Sequence, residues 1–141
     1  MNSQLALRAV LTVLVATVAN FSSAADATEE AAQKSAEQWL ALVDAGKFAE
    51  SWESAAGYFK TAVGKETWEH SLNAVRKPLG ALVSRTLKSS KTATSLPGAP
   101  DGNYVVLEFA TSFANKKSAV ETVTPMLEKD GTWKVSGYFI K

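Results

Sequence analysis

Hydrophobic positions along this chain change period near Gly80: before it they recur at helical spacing, after it they alternate. Over 27–44, Ala32, Ala36, Trp39, Leu40 and Val43 fall on one stripe, which predicts an amphipathic helix facing a core. Thr28 is placed to cap its start and Gly46 to stop its end. A second helix carries Phe48, Trp52, Ala55, Ala56 and Phe59, and the pattern breaks over 62–65. A third sets Trp68, Leu72 and Val75 on one face and ends at Pro78 and Gly80.

The alternating half predicts strands over about 81–90, 104–113, 118–128 and 132–140. The second puts Val105, Leu107, Phe109, Thr111 and Phe113 on one face and Tyr104, Val106, Glu108 and Ala110 on the other, so it reads as a central strand. Pro125 marks the third as an edge or bulged strand, and Asp130-Gly131 signals a tight hairpin before the fourth. The fourth alternates Trp133, Val135, Gly137 and Phe139 against Lys134, Ser136 and Tyr138. Strands joined in sequence by short turns make a meander. With the helices first, the expected fold class is α+β: three N-terminal helices packed on a curved four-stranded antiparallel meander sheet.

Residues 1–25 follow another logic. One cation, Arg8, precedes an apolar run over 9–19, and Ser22, Ser23, Ala24 and Ala25 follow, the order of a secretory signal peptide. A spanning helix would need about twenty apolar residues. Cleavage is expected after Ala24 or Ala25, leaving one domain over 26–141 in the periplasm or outside the cell, with no stable membrane anchor. The chain has no cysteine, which excludes a lipidated N-terminus, disulfides, thiolate metal sites and a cysteine nucleophile. Its net charge is +1, and loss of Arg8 leaves 14 basic against 14 acidic residues. That balance gives no basic surface for nucleic acid or a polybasic membrane contact.

No pattern of residues specifies a reaction. His70, the single histidine, lies off the Trp68–Leu72 face with Glu66 one turn away, too few ligands for a metal site. No serine sits in a nucleophile elbow and no glycine loop is built for phosphate. The aromatic stripe of Trp39, Phe48, Trp52, Phe59 and Trp68 reads as core packing in preference to a ligand cage. The loop 96–102, with two prolines and two glycines, reads as a rigid connection. Arg85 is the polar residue that stands out. It shares a strand face with Val83 and Leu87, so it needs a partner if that face is covered. Glu108 and Glu121 on neighbouring strands are the expected structural partners; an anionic ligand, assisted by Arg76, is the functional alternative.

Asp44-Ala-Gly-Lys-Phe48, Ser51-Trp52, Arg76-Lys-Pro-Leu-Gly80, Ser84-Arg85, Leu96-Pro-Gly-Ala-Pro-Asp-Gly102 and Asp130-Gly-Thr-Trp-Lys-Val-Ser-Gly-Tyr138 together resemble the domain of unknown function family 4019, small exported bacterial proteins. The resemblance spans 39–141 and implies no activity. The element order is also similar to the cone-shaped nuclear transport factor two-like superfamily, whose curved sheet and helices enclose a pocket. Its catalytic members use an acidic base or a His–Asp pair inside the cone, and no matching pair is found here. The expectation is therefore a non-catalytic periplasmic binding or accessory domain for a small molecule, with no cofactor or metal. Its pocket would be lined by Trp52, Phe59, Trp68, Arg85 and Phe109. The alternatives are a cone-fold isomerase or dehydratase using Arg85 with a glutamate, and a homodimeric interaction module joined through the sheet face that bears Tyr104, Val106 and Ala110.

Overall fold

The structure, a computed structural model, describes residues 23–141. The expected leader lies outside the described residues except for Ser23, Ala24 and Ala25. Helix α1 (Ala24–Asp44) starts earlier than its apolar stripe, because Ala24, Ala25 and Ala27 propagate a helix well and Ser23 caps it. The Ser23 Oγ accepts the Asp26 N–H at 3.2 Å, and Thr28 plays no capping part. The buried residues of α1 are the predicted stripe of Ala32, Ala36, Trp39, Leu40 and Val43.

At its C-terminus α1 closes in a Schellman turn. Lys47 N–H donates to the Leu42 carbonyl at 2.9 Å and Gly46 N–H to the Val43 carbonyl at 3.0 Å. Gly46 takes φ of 75°, which is why glycine stands there. The second helical stretch is divided into α2 (Phe48–Glu53) and α3 (Gly57–Ala62). The break lets Ala56 donate its N–H to the Val135 carbonyl at 2.8 Å, so the linker caps part of a sheet edge.

Helix α4 (Lys65–Val75) runs into a 3-10 turn (Lys77–Leu79). Trp68 and Leu72 are buried as expected, but Val75 is 54% exposed. The buried stripe steps by four, from Trp68 through Leu72 to Arg76, which is 3% exposed and takes the place expected for Val75.

Strands β1 (Leu82–Ala93), β2 (Tyr104–Phe113), β3 (Lys116–Leu127) and β4 (Trp133–Ile140) form an antiparallel sheet in the order β1-β2-β3-β4, so the fold is α+β. Two irregularities set which side chains face the helices. Val83 falls in a bulge between the Leu82 and Ser84 pairings and points out at 67% exposure, so it does not share the face of Arg85. Pro125 lies in β3, an inner strand, where bulging provides for its missing donor. There Thr124 pairs with Gly137 and Pro125 with Val135, which leaves Ser136 as an extra residue in β4. The extra residue flips the alternation. Trp133 and Val135 face inward and so does Tyr138, while Phe139 points away at 49% exposure.

The core between helices and sheet gathers Trp39, Leu40, Phe59, Trp68, Leu107, Phe109 and Val123 among others. On the far face of the sheet the loop 94–103 covers Tyr104, whose hydroxyl donates to the Pro100 carbonyl at 2.5 Å. Tyr58 from α3 holds the same loop through the Gly98 carbonyl at 2.6 Å. Among the described residues, no helix is long and apolar enough to cross a membrane.

Candidate functional site

Four charged side chains meet where the C-termini of α1 and α4 approach the sheet. Arg85 on β1 presents a two-pronged contact to Asp44, with Nη1 2.8 Å from Oδ2 and Nη2 3.0 Å from Oδ1. Its Nε donates to Glu121 Oε1 at 2.7 Å. Arg76, at the end of α4, donates Nη2 to Asp44 Oδ1 at 3.2 Å and Nη1 to the Gly80 carbonyl at 2.7 Å. Its guanidinium lies 4.4 Å from the centre of the Phe113 ring. Thr111 Oγ1 donates to Glu121 Oε1 at 2.7 Å, and the Tyr138 hydroxyl donates to Oε2.

Local structure explains each placement. Asp44 is the last residue of α1, at the negative end of the helix dipole, where a carboxylate is disfavoured unless cations approach. Arg76 and Arg85 supply them. Arg85 pairs across the ladder with Thr111, and Glu121 with Phe109, so all these side chains arrive on the helix-facing side. The Ser136 bulge turns Tyr138 to the same side.

Side-chain exposure is 12% for Arg85, 17% for Asp44, 4% for Arg76 and nil for Glu121, yet two anions offset two cations. Burial works against the charge on Arg85, but its hydrogen bonds to Asp44 and Glu121 outweigh that and raise its pKa. Burial first, then the charge on Glu121, pushes the Tyr138 phenol well above its ordinary value, so it remains a donor.

Both carboxylates of this arrangement are already engaged by donors. A catalytic carboxylate must be free to accept from a substrate. Glu121 already receives Arg85, Thr111 and Tyr138, and Asp44 receives both arginines. Glu108, the other expected partner of Arg85, points away; it is exposed, and its contact is Ser89 Oγ at 3.3 Å. Among the described residues, no group of three or more His, Asp or Glu is disposed to hold a metal.

The sequence-predicted lining residues separate. Phe59 and Trp68 meet edge to face at 4.9 Å, and the Trp68 indole N–H donates to Ser51 Oγ at 3.0 Å. Phe109 is 2% exposed within the core, and Arg85 belongs to the ionic cluster. Trp52 stands apart at the α2–α3 corner, its indole N–H on the Val63 carbonyl at 2.7 Å and Lys60 over its ring. Trp68 alone of the five lines the groove of about 290 Å³ between α4 and the end of β4, with Ser71, Leu72, Val75, Tyr138, Phe139 and Ile140. A larger groove of about 410 Å³ between α2 and α4 is edged by Lys47, Lys77, Glu50 and Glu69, surface charges of both signs.

Asp44 and Tyr138 were missed as site residues. The signal for Asp44 was an acid in the last turn of a helix, against the dipole. For Tyr138 no signal existed without the bulge.

No curated protein matches the chain. A solved 2.5 Å structure from Catenulispora acidiphila superposes with a TM-score of 0.52, covering 82% of this chain and 91% of that one at 15% sequence identity, a likeness of fold. Residues 35–138, which contain the whole Asp44–Arg76–Arg85–Glu121–Tyr138 cluster, match the family described as Protein of unknown function (DUF4019), and the chain belongs to that family.

Proposed function

We propose that this protein is an exported, non-catalytic binding or accessory domain whose ligand site is the α4–β4 groove. One observation carries the reading: the buried charges of Asp44, Arg76, Arg85 and Glu121 pair with one another, while the groove beside them is open and lined without a charge. Val75 and Phe139 stand half-exposed on its walls, with Trp68 and Leu72 behind them. An uncharged, largely apolar molecule suits such walls, since a charged one would lose hydration without gaining a partner. Export rests on the residues before Ser23, and mass spectrometry of the released protein should find it starting at Ala25 or Asp26.

The test of the groove is a thermal-shift titration with straight-chain alcohols and the matching carboxylates. The alcohols are expected to stabilise the wild type, increasingly with chain length, and the carboxylates to do so less. Val75→Asp puts a charge on an exposed wall without disturbing the core and is expected to abolish the shift. Failure of every alcohol, or an equal shift in Val75→Asp, would overturn the reading.

A further inference from the structure

We infer that the α4–β4 groove receives an extended, uncharged polypeptide segment, added as a further strand on the free end of β4. This rests on the groove reading and names its occupant. The backbone supplies the argument. Val120 and Lys141 exchange both hydrogen bonds, at 3.1 and 2.9 Å, so they form a hydrogen-bonded pair of the antiparallel ladder. The alternation then turns the N–H and C=O of Ile140 and Tyr138 away from β3, towards the outside of the sheet.

Earlier along the same edge the outward carbonyls are taken. Ser35 Oγ donates to that of Trp133, and Ala56 N–H to that of Val135. Among the described residues, nothing bonds the outward groups of Tyr138 and Ile140. An open strand edge is a template for another extended backbone. Here it adjoins an apolar groove, because α4 leaves a gap beside β4 lined by Trp68, Leu72 and Val75. Backbone groups to pair and apolar wells for alternate side chains are the two requirements of strand addition.

The size of the site decides between occupants. Among the described residues, the unbonded edge of β4 runs from Tyr138 to Ile140, about 10 Å at 3.3 Å per residue. That is too short to bury the roughly 800 Å² per partner that a stable dimer needs. A peptide segment fits the site and a second copy does not.

The experiment uses the whole protein and a blocked, dansyl-labelled peptide of alternating valine and serine, followed by fluorescence anisotropy, with n-octanol as the small apolar probe. Ile140→Pro removes an N–H that faces away from β3 and so spares the β3–β4 ladder. It is expected to weaken the peptide at least ten-fold, while the octanol shift is read on the wild type, because Ile140 also lines the groove. The same peptide N-methylated throughout is expected to lose binding to the wild type, a result that holds even if the proline variant misfolds. Undiminished peptide binding by a folded Ile140→Pro, or by the methylated peptide, overturns strand addition; octanol then reports separately on the groove. No peptide binding by the wild type overturns it as well. So does light scattering that finds a wild-type dimer and an Ile140→Pro monomer, since the occupant would then be a second copy.

Discussion

At the scale of the residue, the cluster turns on a buried carboxylate surrounded by donors. Glu121 has no exposed surface, and a buried anion is tolerated only when its lone pairs are taken. Tyr138 supplies one of the donors, and its raised pKa gives the interaction a pH signature. An unfolded tyrosine ionises near pH 10, whereas in the fold the phenol keeps its proton to higher pH. The stabilisation is therefore fully present below about pH 10 and is lost as pH rises from there towards the folded value, at up to about 1.4 kcal/mol per pH unit. Tyr138→Phe is expected to cost about 1 kcal/mol at neutral pH through the lost hydrogen bond, and to flatten the decline above pH 10. Urea titrations of both proteins between pH 7 and 11 check this. Parallel pH profiles would show that Tyr138 ionises alike in both states.

At the scale of the element, two chain turns hold the arginines and the acid together, and they make unlike demands on glycine. A Cβ at Gly46 meets nothing within 4 Å, so Gly46→Ala pays only the left-handed backbone, about 1–2 kcal/mol. A Cβ at Gly80, with φ of 78°, would also meet Asn115 Nδ2 at 3.1 Å and the Ala114 Cβ at 3.2 Å. Gly80 also offers its carbonyl to Arg76. Gly80→Ala is expected to destabilise more than Gly46→Ala, which denaturant midpoints for the two variants will show. Elements were legible where a regular period ran unbroken: the buried face of α1 and the bounds of β2 follow from spacing alone. They were not legible where one residue changed the phase. Val83 and Ser136 each occupy a bulge, and an alternation counted through them puts Val83 inside and Tyr138 outside, the reverse of the fold. A bulge is set by pairing with a neighbouring strand, so a single strand's sequence does not carry it. The same limit hid the site. Arg85 stood out as a cation among apolar neighbours, but its chief partner, Asp44, lies 41 positions away on a helix.

At the scale of the whole molecule, one connected set of ion pairs and hydrogen bonds ties α1, α4, β1, β2, β3 and β4 through Asp44, Arg76, Arg85, Thr111, Glu121 and Tyr138. Parting the helical layer from the sheet would expose the apolar seam between them. The cluster adds to that cost, because parting the layers would also strand Asp44 from Arg85, and Arg85 sits at the centre of the set. Breaking a buried pair by removing one member leaves the other charge uncompensated, at about 3–5 kcal/mol. Arg85→Ala leaves Glu121, wholly inside, without its cation, and leaves Asp44 with Arg76 as its remaining cationic partner. It is expected to lower stability by about that amount as a cooperative loss. Tryptophan fluorescence reports mainly on the helical layer, through Trp39, Trp52 and Trp68, and far-ultraviolet dichroism on the whole backbone. Their urea transitions should coincide in the wild type and shift together in Arg85→Ala. A variant in which fluorescence unfolds first while the sheet signal persists would mean that the cluster does not join the layers. The apolar contacts of Trp39 and Trp68 with Tyr138 would then be what holds helices to sheet.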